Sequence, residues 1–392
     1  MARRHLSALP ELSGRRRRAF GRALVLGLLT ASALTSVTTS DAAQAADAQP
    51  LPALCIDPAA ISVSGISSGG YMANQFHVAH SARLEGAAIF AGGPYLCAGN
   101  DYPQSLFRAL SVCSDFGPGP FLGPPDTQRS IDAAKAAARD GAIDDPAGLR
   151  ADRVFLFSGT RDTFVPRPVM DALASFYRAF VPEAQIAYVT DVPAGHGMIT
   201  TSYGGGCDVQ AAPFVNHCDY DLAGAALQQI YGALAPPTAA TGRLLAFDQS
   251  PFVAGQATHG LAARGYVYVP TGCGPSDRCR LHIAFHGCLQ NEEAIGDAFY
   301  RHAGYNEWAE VNDIVVVYPQ AAAIVKRVAG MGVDWPNPQG CWDWWGFTGA
   351  DFARKTGVQI SAIAAMIDRI AGPASTPEAA QSSPACPRTA DG

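Results

Sequence analysis

Ser67 stands in Gly65-Ile66-Ser67-Ser68-Gly69, a G-x-S-x-G pattern. Such a pattern is a strand-to-helix turn that carries a nucleophile at its strained tip. Strand and helix pass close together there, so the residues two before and two after must be small. That selects Ser67, because Ser68 would have the bulky Ile66 two places before it. A serine needs a general base, and the base needs an orienting acid. Asp162 follows the apolar run Arg153–Thr160, and His196 follows Ala184–Val192 between two glycines. The order Ser, Asp, His and the two strand-end positions suit an open α/β sheet, whose catalytic groups gather at the carboxyl ends of its strands. Asp152 precedes its strand and Asp191 lies inside or at the end of one, so both fit less well. Acyl transfer also needs backbone N–H donors for an oxyanion. The amide after the nucleophile, that of Ser68, is one.

The second donor commonly comes from an H-G turn that precedes the nucleophile. Here the matching stretch, AFHGCLQ (Ala284–Gln290), lies far downstream of Ser67, and a helical stretch and the strand-like NDIVVVYPQ follow it. Few residues lie between the expected leader and Ser67, too few for the first half of such a fold. The expectation is a circularly permuted α/β-hydrolase fold, with a mostly parallel sheet flanked by helices. Runs such as LHIAFHGC, DIVVVYPQ, RVFLFSGT, AQIAYVTDV and ARGYVYVP read as its strands. YMANQFHVAHS, RPVMDALASFYRAF and YNEWAEVN read as helices between them.

Residues 1–45 combine the basic run Arg15–Arg18, the apolar stretch Ala23–Val37 and a small-x-small AQA at Ala43–Ala45. Together they read as a secretory signal peptide, with RRAF leaving a twin-arginine route open. The apolar stretch is short for a membrane span, so no stable membrane insertion is expected. The catalytic domain is expected over residues 46–371, and residues 372–392 read as a Pro/Ser/Ala-rich tail. Residues 1–45 hold seven arginines and two acids; without them the chain has 21 basic and 32 acidic residues, a net charge of −11. Such a balance argues against nucleic acid as a partner. All ten cysteines lie beyond residue 45, an even count that suits disulfides in an exported chain. Spacing suggests Cys207–Cys218, Cys273–Cys279 and Cys97–Cys113 as local pairs, leaving Cys288–Cys341 and Cys55–Cys386. Sequence does not fix that connectivity. No C-x2-C pair is present, so no metal or other cofactor is expected.

The chain resembles the extracellular poly(3-hydroxybutyrate) depolymerases, in particular the single-domain, circularly permuted type known from fungi. SVSGISSGGYMA, SGTRDTFVP, AGHG, AFHGCLQ and GCWDWWG carry the resemblance, which spans most of residues 55–370. It implies Ser67 as nucleophile, Asp162 and His196 as its partners, and the amides of Ser68 and Cys288 as the oxyanion hole. It implies a secreted, extracellular or periplasmic esterase, expected to act as a monomer on a polyester. Many bacterial members carry a linker and a C-terminal polymer-binding domain, and neither is evident here. GCWDWWGF (Gly340–Phe347) packs three tryptophans into four residues. Such rings are either core or, if Cys341 is bonded to Cys288, the wall of an apolar crevice. On the second reading Trp342, Trp344, Trp345 and Trp335 bind substrate, with Asp334 and Asn337 on the same rim. Feruloyl and acetylxylan esterases share H-G-C and Trp-rich segments and are the alternative enzyme class. A non-catalytic polymer-binding protein on the same scaffold is the alternative outside enzymes.

Overall fold

The computed structural model describes residues 48–328 and 332–372, side chains at 326–335 excepted. The leader read at 1–45, all but the first residue of the tail, and Cys386 lie outside the described residues.

Chain order starts with β1 (Ile56–Ile66), β2 (Gly86–Phe90), β3 (Arg153–Phe157) and β4 (Ile186–Val189). A small sheet follows, made of β5 (Met198–Thr200), β6 (Gly205–Gly206) and β7 (Val215–His217). Then come β8 (Arg243–Asp248), β9 (Arg264–Val269), β10 (Cys279–Phe285) and β11 (Ile314–Tyr318), and the hairpin of β12 (Ile324–Val328) with β13 (Gly332–Asn337). The main sheet has eight strands in the order β4-β3-β2-β1-β10-β11-β9-β8. From β4 to β11 every neighbouring pair is parallel, and β9 and β8 close the far edge antiparallel. β9 therefore departs from the parallel setting that its continuous apolar run suggests. It is nonetheless buried along Gly265–Val269, so burial alone produces the run.

Side chains alternate across the strands and divide the core in two. Ile61 and Val63 of β1 pack with Met72 and Phe76 of the helix α1 (Ser68–Ala79), and with Val169 and Leu173 of the helix Arg167–Arg178. Ile360, Ile363 and Ile367 of the helix Val358–Ile370 join that layer. On the other face Ile66, Phe90 and Phe157 meet Leu222, Ala226 and Ile230 of the helix Leu222–Tyr231, with Trp308 beside them. The result is an α/β fold of three layers. Small residues let these layers close: a Cβ on Gly86 would lie 2.2 Å from the Arg153 carbonyl oxygen of the adjoining strand.

Four disulfides are present among the described residues: Cys97–Cys113, Cys207–Cys218, Cys273–Cys279 and Cys288–Cys341. They suit an oxidising compartment. Among the described residues no helix is long and apolar enough to cross a membrane.

Candidate active site

β1 runs straight into α1, and Ser67 is the single residue between them. Its φ of 57° and ψ of −125° lie outside the regions that side-chain-bearing residues favour, a strain of about 1–3 kcal/mol that the surroundings must hold. The turn is tight enough to require glycine on both sides. A Cβ on Gly65 would sit 2.1 Å from the Gly69 carbonyl oxygen, and one on Gly69 would sit 2.3 Å from the carbonyl oxygens of both His286 and Phe285. The Ser67 amide donates to the Phe90 carbonyl oxygen at 3.0 Å, fixing the turn to the end of β2. The other serines of this stretch are engaged elsewhere. Ser62 and Ser64 point into the sheet and hydrogen-bond the two ring nitrogens of His282, each at 2.7 Å. The Ser68 hydroxyl accepts from the Trp342 amide at 3.3 Å. Only the Ser68 backbone N–H, in the first turn of α1 where the helix dipole favours an anion, remains relevant to chemistry beside Ser67.

The loop after β3 and the loop after β4 are zipped together. Thr160 N–H donates to the Val192 carbonyl at 2.9 Å, and Arg161 N–H to that of Ala194 at 3.0 Å. A Cβ on Gly159 would lie 2.2 Å from the Ala194 oxygen, so glycine permits the approach. This register brings Asp162 to His196. Asp162 Oδ1 accepts from the amides of Phe164 (2.9 Å) and Val165 (3.0 Å), and Oδ2 lies 2.8 Å from His196 Nδ1. An ionised carboxylate can only accept. His196 therefore carries its proton on Nδ1 and leaves Nε2 as a base. The Phe164 ring stands edge-on to the imidazole at 5.2 Å between centroids, with Phe116 at 6.1 Å.

Ser67 and His196 open into one cavity, lined also by Phe116, Phe214, Cys288 and Leu289. None of the residues lining it is Asp, Glu, Lys or Arg. Phe116 and Leu289 are 37% and 40% exposed, so the mouth is apolar as well as the interior. The H-G turn also lines the cavity and packs on the nucleophile: a Cβ on Gly287 would lie 3.1 Å from Ser67 Cβ. Gly287 N–H is already given to Gln290 Oε1 at 2.6 Å, which leaves Cys288 as the turn's next amide. The arrangement can deprotonate a hydroxyl, attack an uncharged carbonyl and surround the resulting oxyanion with amides.

The tryptophans are not in that wall. Trp342 is wholly buried against Phe285 and His286, at ring separations of 5.0 and 5.6 Å. Trp344 stacks on Tyr71 at 4.0 Å, and Trp345 meets Trp344 edge-on at 5.5 Å. All three are core packing behind the elbow, which corrects the expectation that they line a crevice. The reason is Asp343. Its buried carboxylate accepts from the amides of Trp345, Gly346, Phe347 and Thr348 and from the Thr348 hydroxyl, and so curls the segment inward. Trp335 belongs to β13, and its side chain and that of Asp334 lie outside the described residues; Asn337 is buried and bonds the Cys341 carbonyl.

Some participants carry no motif. Gln210 Oε1 accepts from the amides of Thr163 (2.9 Å) and His196 (3.3 Å), bridging the acid and base loops. Phe116 and Phe214 reach the cavity from loops whose sequences hold no catalytic pattern. Asp152, the less favoured acid, forms a second His–Asp pair with His77 at 2.9 Å. That pair is buried under α1, and the third partner is the Tyr177 hydroxyl at 3.1 Å, so it braces helices.

Fold and site define an α/β protein whose strand-to-helix serine shares an uncharged cavity with a histidine bonded to an aspartate. No family model matches the chain. A poly(3-hydroxybutyrate) depolymerase of Delftia acidovorans is 40% identical over 326 residues, 82% of this chain and 61% of that protein. The chain thus spans less than two thirds of that relative. A polyhydroxybutyrate depolymerase of Talaromyces funiculosus is 37% identical over 338 residues, 84% of this chain and 94% of the relative. Among solved structures, PHB depolymerase from Penicillium funiculosum is similar with a TM-score of 0.72 at 35% identity, covering 82% of this chain and 99% of that one. A serine-to-alanine variant of a PHB depolymerase complexed with R3HB trimer gives 0.73, with the same identity and coverage. The chain belongs to the poly(3-hydroxybutyrate) depolymerase family.

Proposed function

We propose that the protein is a secreted serine esterase that hydrolyses the ester bonds of poly(3-hydroxybutyrate). The observation that carries the reading is the uncharged, apolar-mouthed cavity shared by Ser67 and an Asp162-bonded His196. A neutral polyester needs no cationic anchor, and the family relatives named for this polymer support the same substrate class. His196 Nε2 takes the Ser67 proton as Oγ bonds to the ester carbonyl carbon. The carbonyl oxygen becomes an oxyanion between the Ser68 and Cys288 amides. Collapse breaks the ester C–O bond, and His196 returns the proton to the departing hydroxyl. Water then attacks the acyl-serine, losing its proton to His196, and Ser67 is restored as the hydroxybutyrate oligomer leaves.

The sheet order supports a circular permutation. Read across the sheet from β8, the two antiparallel-edge strands and the H-G strand come before the elbow strand β1, yet in the chain they come after it. Residues 46–371 would then be one catalytic unit.

Clearing of a poly(3-hydroxybutyrate) film, with product analysis, tests the reading against feruloyl and acetyl-xylan esters offered in parallel. Film clearing by the wild type, lost in Ser67→Ala and largely kept in Ser68→Ala, is the expected result. Turnover of the sugar esters alone, or equal activity in both variants, would sink it.

A further inference from the structure

Both polar atoms of the Gly287 backbone are held by buried side chains. Gln290 is 2% exposed; its Oε1 accepts the Gly287 N–H at 2.6 Å, and its Nε2 donates to the Phe214 carbonyl at 2.7 Å. His286 is wholly buried, with Nδ1 2.6 Å from the Gly287 oxygen and Nε2 3.0 Å from the Ala321 nitrogen. An amide N–H can only donate and a carbonyl can only accept. The His286 proton is therefore on Nδ1, pointing at Gly287. Burial keeps this ring neutral, pushing its pKa down to about 4.

The Gly287 carbonyl and the Cys288 N–H belong to one planar peptide and point in opposite directions when it is trans. Fixing the carbonyl therefore aims the amide. Gln290 fixes the preceding peptide plane in the same way. Its far end rests on Phe214, whose carbonyl also takes the amide of Met198, two residues past His196. Phe214 lies in the loop closed by Cys207–Cys218. The turn that faces the oxyanion is thus tied to the loop that carries the base.

We propose that His286 and Gln290 are positioning residues that aim the Cys288 amide at the oxyanion, a role that rests on the ester-hydrolysis reading above. Neither touches the reacting atoms; each acts through Gly287. Displacement of a group by about 1 Å can cost about 10²-fold in rate, and these bonds hold against that displacement.

The test uses the full chain with p-nitrophenyl butyrate, a soluble ester that does not depend on polymer specificity. Inhibition by butylboronic acid is read beside it, because its adduct on Ser67 sets an oxygen where the oxyanion forms. Gln290→Met keeps the shape and loses both hydrogen bonds. His286→Leu loses both of its own, and His286→Asn restores a donor near the Nδ1 position. The expected result is a kcat about 10²-fold lower in Gln290→Met and His286→Leu, KM within about threefold, and boronate inhibition weakened in step. His286→Asn is expected to regain at least about tenfold over His286→Leu. Folded Gln290→Met with wild-type kcat and inhibition overturns the proposal, as does a rise in KM alone. If His286→Leu does not fold, Gln290→Met and His286→Asn decide it. Activity surviving in Ser67→Ala would overturn the ester-hydrolysis reading instead, and this proposal with it.

Discussion

At the scale of single residues, the site depends on atoms that are absent as much as on those present. Gly69 packs against the end of β10, and a methyl group there would press on two backbone carbonyls at 2.3 Å. Backbone atoms in a buried sheet do not step aside cheaply. Gly69→Ala is expected to cost about 3 kcal/mol and to separate the elbow from the H-G turn, lowering both the urea midpoint and kcat. Gly119→Ala is the control, since a Cβ there meets nothing within 4 Å; equal midpoints for the two variants would refute the close-packing account. Such glycines are why Ser67 was legible in the sequence: sterics impose a local pattern at fixed spacing. Asp162 and His196 were legible because each follows a strand by a few residues. Gln210, Gln290 and the His286 ring were not, because each also bonds a partner 14 to 76 residues away in the chain. Spacing says nothing of bonds that only the folded loops create. The tryptophans show the same limit, since composition cannot tell a crevice wall from a core when Asp343 decides which way the chain curls.

At the scale of elements, disulfides hold loops in place around the sheet. Cys288–Cys341 joins the H-G turn to the Trp segment across 53 residues, whereas Cys273–Cys279 closes a separation of 6 before β10. Loop entropy gives about 4 kcal/mol for the first and about 2 kcal/mol for the second. The chemistry separates them further. Serine at both 288 and 341 frees the turn beside Ser67, so kcat is expected to fall with stability. Serine at both 273 and 279 is expected to lower the urea midpoint and leave kcat per folded molecule unchanged. Equal kcat in the two double variants would show that the turn needs no such tether. Strands with long β-branched or aromatic runs, β3, β10 and β11, were legible from sequence. β2, with the sequence GAAIF, was not, because small residues in a central strand give no periodic signal. Direction was not legible either: β9 is as buried as the parallel strands of the sheet, yet it pairs antiparallel with both β11 and β8.

At the scale of the whole molecule, the three-layer core encloses imidazoles that must stay neutral. Burial lowers the His282 pKa to about 3 and the His286 pKa to about 4. His282 sits in the sheet between Ser62 and Ser64, and their hydroxyls continue to Tyr231 and Tyr305, each at 2.6 Å. Protonation there would put a charge in the core and turn an accepting nitrogen into a donor. In the unfolded chain both rings titrate near the ordinary value of about 6.5. Below that pH the unfolded state binds protons that the folded state refuses, so stability falls with falling pH until the folded pKa is reached. The window runs from about pH 6.5 down to about pH 4 for His286 and on to about pH 3 for His282. At pH 5.5 each ring contributes a loss of about 1.4 kcal/mol relative to its full stabilisation above pH 7. His80, lowered to about 4 mainly by burial, acts in the same direction but is partly solvent-exposed and is discounted. Burial raises the carboxyls of Asp343 and Glu85, an effect of opposite sign that favours the folded state as pH falls and offsets part of this loss. The urea midpoint is therefore expected to drop between pH 7.5 and pH 5.5, and to drop less in a folded His282→Gln variant. A midpoint that stays level or rises over that interval would mean that the buried rings take up protons without resistance.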